Sequence, residues 1–229
     1  MRKPKIPKGK KIALYQTFSD LAYERDPLKV QVGLGQTNSG YKYDPKLSTR
    51  EQKVFYNPVT RRAVMAFRGT DPHDKKTIVK DFISDAAIFT GTQRFNKRFR
   101  KSDDEFQKLK TKYAGYDVDV TGHSLGGALA DYVAKRNIGR IGSAYTYSRG
   151  TGPVDMFRNS SYKTFDISNR FDPISLSGRI GNKVHKNKQE VNKDFSLNPL
   201  KAHTVSSTYK PKDEDLFRYI PKKYDVAVR

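Results

Sequence analysis

From residue 12 the chain carries a helical rhythm. Ile12, Tyr15, Phe18, Leu21 and Ala22 recur at three- and four-residue intervals, which places them on one buried stripe of a helix. The two β-rich runs in "QKVFYNPVTRRAVMAFRG" flank Asn57-Pro58, where proline presets the turn dihedral, so a hairpin leading into a buried strand at 62–67 is predicted. Residues 76–88 read as a helix. A longer one spans 94–114 with Phe95, Phe99, Phe106, Leu109 and Tyr113 on one face. Ser102 and Glu105 stand at capping-box spacing, which predicts a break or restart near 102. A strand at 116–121, a helix at 124–136, strands near 140–147 and 162–168, and a short run after His203 complete the pattern. Gly33, Gly35 and Gly40 read as a plain loop.

Alternating strands and helices predict the α/β class: a mainly parallel sheet with helices on both faces and functional loops at the carboxyl ends of its strands. Residues 1–11 hold six Lys or Arg and two Pro, a composition that reads as a solvated basic arm, and residues 12–229 are expected to form one domain. Hydrophobic residues make up only 35%, yet 14 Tyr and 13 Phe supply the large apolar surface that a core needs. Lys and Arg exceed Asp and Glu by 45 to 24, a formal charge of +21 that favours anionic partners without choosing among nucleic acid, lipid headgroups and acidic polymers. The chain has no cysteine, which removes disulfides, thiolate metal sites and cysteine nucleophiles. The apolar run after the basic N-terminus is too short for a signal-peptide core or a membrane span, so an intracellular or non-classically delivered protein is expected.

The candidate chemistry lies at the junction of the 116–121 strand and the 124–136 helix. Gly122-His123-Ser124-Leu125-Gly126 fits G-x-S-x-G, in which flanking glycines permit a sharp strand-to-helix turn that lifts the serine hydroxyl above the sheet. The alternative is a small-residue turn with Ser124 as a cap. Val118 and Val120 before it and Leu125, Ala128, Leu129, Tyr132 and Val133 after it supply the strand and helix that a nucleophile elbow requires. A phosphate loop is excluded, because Ala128 and Leu129 stand where its lysine and hydroxyl residue belong.

A serine hydroxyl needs a base and a group to orient that base. Of the four histidines, His123 adjoins the nucleophile and suits packing or a structural hydrogen bond, while His73 and His185 sit in charged, loop-like stretches. His203, at a loop-to-strand boundary late in the chain, is the candidate base. Asp172, in an Asp-Pro turn just beyond the 162–168 strand, is preferred over Asp166 as the acid. The order Ser124, Asp172, His203 is that of an α/β-hydrolase triad.

Three separated stretches resemble the class 3 lipases, the fungal-lipase-like family of α/β-hydrolases: "AVMAFRGT", "VTGHSLGGALA" and "NRFDPIS". The resemblance spans roughly residues 12–208. It implies that Thr70 and Leu125 supply the oxyanion-hole N–H groups, and that "DPHDKKTIVKDFISDAAIF" occupies the place of a lid, with core packing the alternative for residues 82–89. The segment "SRGTGPVD" departs from the family's usual loop.

These readings predict a serine esterase or lipase that hydrolyses carboxylic esters of lipids, acylglycerols or phospholipids, through an acyl-enzyme, with no metal or cofactor. Peripheral binding to anionic membranes would follow from the charge. The competing readings are an acyltransferase with the same triad, or an inactive hydrolase scaffold that binds nucleic acid or another anionic surface. For the nucleic-acid reading, basic residues from Arg94 to Lys112 interleave with Phe95, Phe99 and Phe106, but these phenylalanines share one helical face and read as core. No protein partner is predicted.

Overall fold

The computed structural model describes residues 8–70, 93–150, 162–169, 172 and 188–192. Its centre is a seven-stranded sheet whose strands lie side by side in chain order: β1 (Lys42–Tyr43), β2 (Gln52–Asn57), β3 (Arg62–Phe67), β4 (Asp117–His123), β5 (Ala144–Tyr147), β6 (Thr164–Asn169) and β7 (Lys188–Asn192). β1 to β3 pair antiparallel, and β3 to β7 pair parallel. The β2–β3 hairpin turns where proline placed it. Asn57 Oδ1 accepts the N–H groups of Val59 and Thr60 at 3.0 and 2.9 Å, and the return is completed by Arg61 in the left-handed region (φ 49°).

Four helices are described: α1 (Lys8–Leu21), α2 (Pro27–Gly35), α3 (Gln93–Lys112) and α4 (Leu125–Arg136). Period-two alternation along the strands sends side chains to two apolar layers. On one face Val64 and Ala66 meet the predicted α1 stripe of Ile12, Tyr15, Phe18, Leu21 and Ala22, all buried. On the other, Ala63, Met65, Val118 and Val120 meet Phe106 and Leu109 of α3 and Leu129 and Val133 of α4. A sheet buried on both faces by helices, mainly parallel and with a strand–turn–helix at Ser124, is the expected α/β-hydrolase arrangement.

The elements depart from the sequence reading at four places. α1 includes Lys8 to Lys11 of the basic stretch, and Lys11 is not solvated: its ammonium lies 2.7 Å from the buried Asp119 carboxylate and over the Tyr15 and Tyr145 rings. Gly33 and Gly35 belong to α2 rather than to a loop, and Gly33 is buried. The signal for that helix was Asp26-Pro27, where Asp26 caps the Leu28 N–H at 2.9 Å and proline occupies the first turn. α3 runs through residue 102 unbroken, since Ser102 Oγ donates back to the Arg98 carbonyl (2.9 Å) and Glu105 pairs with Lys108 instead of closing a capping box. The fourth is β7, which is polar enough to read as loop, a composition that an edge strand tolerates. The helix expected at 76–88, the lid segment and the run after His203 lie outside the described residues.

Candidate active site

β4 ends at His123 and α4 begins at Leu125, so Ser124 alone makes the turn. Its backbone sits at φ 58° and ψ −127°, a region that costs a non-glycine residue on the order of 1–3 kcal/mol. The hydroxyl makes no capping hydrogen bond to the helix, so the reading of Ser124 as a cap fails. What remains is a serine held in a strained elbow with its hydroxyl not committed to the helix end.

The neighbouring glycines are required by contact. A Cβ on Gly122 would stand 2.2 Å from the Gly126 carbonyl oxygen, and one on Gly126 would stand 2.1 Å from the Phe67 carbonyl oxygen. The first turn of α4 therefore lies directly against the end of β3. This brings the first turn of the helix, whose leading amides have no intrahelical acceptor, beside Gly69. A Cβ on Gly69 would lie 2.9 Å from the His123 carbonyl oxygen and 3.4 Å from the Gly126 nitrogen.

Tyr23, which the sequence reading did not single out, braces this junction. Its hydroxyl accepts the Gly69 N–H at 3.1 Å and lies 3.4 Å from both His123 Nδ1 and the His123 carbonyl oxygen. Burial raises its phenol pKa and keeps it a neutral hydroxyl, able to accept from one strand end and donate to the other. His123 is buried against Tyr23, in agreement with a packing and hydrogen-bonding role. No periodic signal pointed to Tyr23, since it follows the end of the α1 stripe.

Gly122, His123 and Gly126 thus lie against the Phe67–Gly69 backbone at the carboxyl ends of β3 and β4, with Ser124 and Leu125 between them in the chain and Thr70 next after Gly69. Asp172 is 1% exposed and comes soon after β6 in the chain, a strand that runs parallel to β5 and, through it, to β4. His203, like His73 and His185, lies outside the described residues.

One turn before Tyr23, burial pushes the Asp20 carboxyl up to about 8. A raised carboxyl holds its proton in the folded state, so the stability it confers is complete below pH ~4 and is lost as pH climbs through about 8. Asp20→Asn should therefore leave the melting temperature unchanged at pH 4 and raise it at pH 9. Equal melting temperatures of the two proteins across that range would refute the assignment.

Residues 64–140 match the class 3 lipase family. No curated protein matches the chain. Among solved structures it is similar to mono- and diacylglycerol lipase from Aspergillus oryzae, at 16% identity and TM-score 0.48, over 74% of this chain and 74% of that one. It is also similar to Lip2 lipase from Yarrowia lipolytica, at 16% identity and TM-score 0.46, over 78% of this chain and 77% of that one. A deletion mutant in the Rhizomucor miehei lipase propeptide complex gives 18% identity and TM-score 0.41, over 65% of this chain; the chain spans only 54% of that lipase's length. The segment that holds β3, the Ser124 elbow and α4 is therefore where this chain matches the class 3 lipase family, the family its motifs resembled.

Proposed function

We propose that the protein is a serine carboxylic ester hydrolase acting on lipid esters, with Ser124 as nucleophile. The observation that carries this reading is the Ser124 elbow: a strained serine, free of capping duty, at the amino end of a helix that abuts the strand leading to Thr70. The family match over residues 64–140 supports the same chemistry.

In the proposed reaction Ser124 Oγ attacks the ester carbonyl while His203 takes its proton and Asp172 holds the imidazolium in orientation. The backbone N–H groups of Thr70 and Leu125 stabilise the oxyanion; donors already aimed at the developing charge need no reorganisation, and the loss of one costs about 10²- to 10³-fold in rate. His203 then returns the proton to the leaving alcohol, and a water activated by the same imidazole releases the acid. Turnover of nitrophenyl esters of increasing chain length by the wild type, and its loss in Ser124→Ala, tests this assignment. A wild type without ester turnover would defeat it.

For the physical form of the substrate, the charge of +21 favours lipid presented on an anionic surface. Each basic residue near such a surface contributes about 1 kcal/mol. Binding should be strong to vesicles containing phosphatidylserine, weak to phosphatidylcholine alone, and weakened steeply by salt. Equal partition onto both vesicle types would rule the anionic surface out.

A further inference from the structure

The departure of "SRGTGPVD" from the family's loop has a structural counterpart. Immediately after β5, Arg149 is 4% exposed, and its guanidinium bridges two carboxylates on different elements: Asp131 of α4 at 2.9 Å and Asp166 of β6 at 3.3 Å. Asp131 also accepts from Lys135 and from the Tyr162 hydroxyl, and Asp166 accepts from Thr146 Oγ1 at 2.8 Å. Burial alone would raise the Asp131 carboxyl, but the charges of Arg149 and Lys135 outweigh it and hold the group below the usual carboxylate range, so it is ionised. Among the described residues two carboxylates and two cations thus meet here, and such networks specify geometry when their members are satisfied.

The segment bearing Arg149 grips the nucleophile through its backbone. The Ser124 N–H donates to the Tyr147 carbonyl at 3.0 Å, and the Ser124 carbonyl accepts from the Gly150 N–H at 3.2 Å. Between those two contacts Ser148 occupies the left-handed region (φ 43°) and donates its N–H to Ile167 of β6 at 2.8 Å. The Arg149 backbone and Cβ lie against Gly127, where an added Cβ would approach within 3.3 Å of the Arg149 Cα. An unfavourable backbone conformation such as that of Ser124 persists only where its surroundings over-determine it. Residues 147–150 are those surroundings, and the Arg149 ion pairs anchor them to α4 and β6.

We propose that Arg149 is a positioning residue for the nucleophile, bridging Asp131 and Asp166 so that the Tyr147–Gly150 segment clamps Ser124 in its reactive conformation. For its kinetic readout the inference rests on the ester-hydrolase reading. The bridge ties the helix that begins at the nucleophile to the strand that leads toward Asp172.

Arg149→Met alone would leave two buried carboxylates facing each other, and a failure to fold would say little. The informative variant is the double replacement Arg149→Met with Asp166→Asn, which keeps the charges balanced and leaves Thr146 an acceptor. For this variant kcat on nitrophenyl esters is expected to fall about 10²-fold with KM within twofold, as an ångström-scale misplacement would produce. The rate of covalent labelling of Ser124 by a diethyl nitrophenyl phosphate should fall by the same factor. Arg149→Lys, which reaches one carboxylate, should lie between the double variant and the wild type. Amide exchange at Ser124 and Gly150 should accelerate at least tenfold in the double variant, while exchange in α1 is unchanged.

A cooperatively melting double variant with wild-type kcat, labelling rate and Gly150 protection would overturn the proposal. So would a loss of activity fully accounted for by fewer titratable active sites at unchanged kcat per site. A wild type that neither hydrolyses esters nor takes up the phosphate ester would defeat the hydrolase reading instead, and amide exchange would still decide whether Arg149 holds the clamp.

Discussion

Ser124→Ala is expected to lower kcat for ester hydrolysis by about 10⁶-fold, since on the proposed mechanism the change removes the acyl-enzyme route and leaves the proposed oxyanion donors in place. Binding of the ester before reaction should change little, because on that mechanism the hydroxyl engages the carbonyl only once attack begins. Stability should not fall either. The hydroxyl makes no capping bond to α4, so its loss removes no helix-end hydrogen bond. Ser124→Gly goes further: glycine tolerates φ 58° and ψ −127° without a Cβ penalty, so this variant should be inactive yet more stable than the wild type, by about 1 kcal/mol. Calorimetry alongside the nitrophenyl ester assay checks both. A Ser124→Gly protein that melts below the wild type would show that the elbow is not strained in the folded protein. Retention of turnover in Ser124→Ala would show that the nucleophile lies elsewhere.

The second large effect belongs to Gly126. Its Cβ would meet the Phe67 carbonyl oxygen at 2.1 Å and the Arg68 carbonyl carbon at 2.9 Å, and both are backbone atoms of a central strand and its exit. Neither can yield as a flexible side chain would. Gly126→Ala must separate the first turn of α4 from the end of β3, which disturbs packing at a cost of about 3 kcal/mol or more. The same displacement widens the gap between Leu125 and Thr70, the proposed oxyanion donors, so whatever folds should lose activity about 10²-fold. Gly35→Ala is the control: nothing lies within 4 Å of its Cβ position, and alanine at the end of α2 should be neutral or slightly stabilising. Urea unfolding midpoints and kcat of the two variants test the contrast. A Gly126→Ala protein with wild-type midpoint and kcat would mean that β3 and α4 are not in close contact.

Much of the framework is legible in the chain because burial and periodicity report on each other. The α1 stripe, the 62–67 strand and the α4 face each repeat an apolar spacing that has only one buried orientation. Signals that depend on a partner failed. Ser102 and Glu105 satisfy the capping-box spacing, yet a continuous buried face from Phe106 to Tyr113 and the back-bond to Arg98 keep α3 whole. Lys11 reads as solvated from its basic neighbours and is instead drawn in by Asp119, a residue more than a hundred positions away.

The α1 and α4 stripes, the β2–β3 hairpin and the serine turn were determined by local pattern. Glycine spacing and apolar period act over a few residues and leave a mark in the chain itself. Only the tertiary structure decided that Tyr23 joins Gly69 to His123, that Gly126 touches β3, and that Arg149 links Asp131 to Asp166. These contacts join elements distant in sequence, and their strength comes from desolvation and exact approach in a packed interior. Neither quantity exists until the chain has folded.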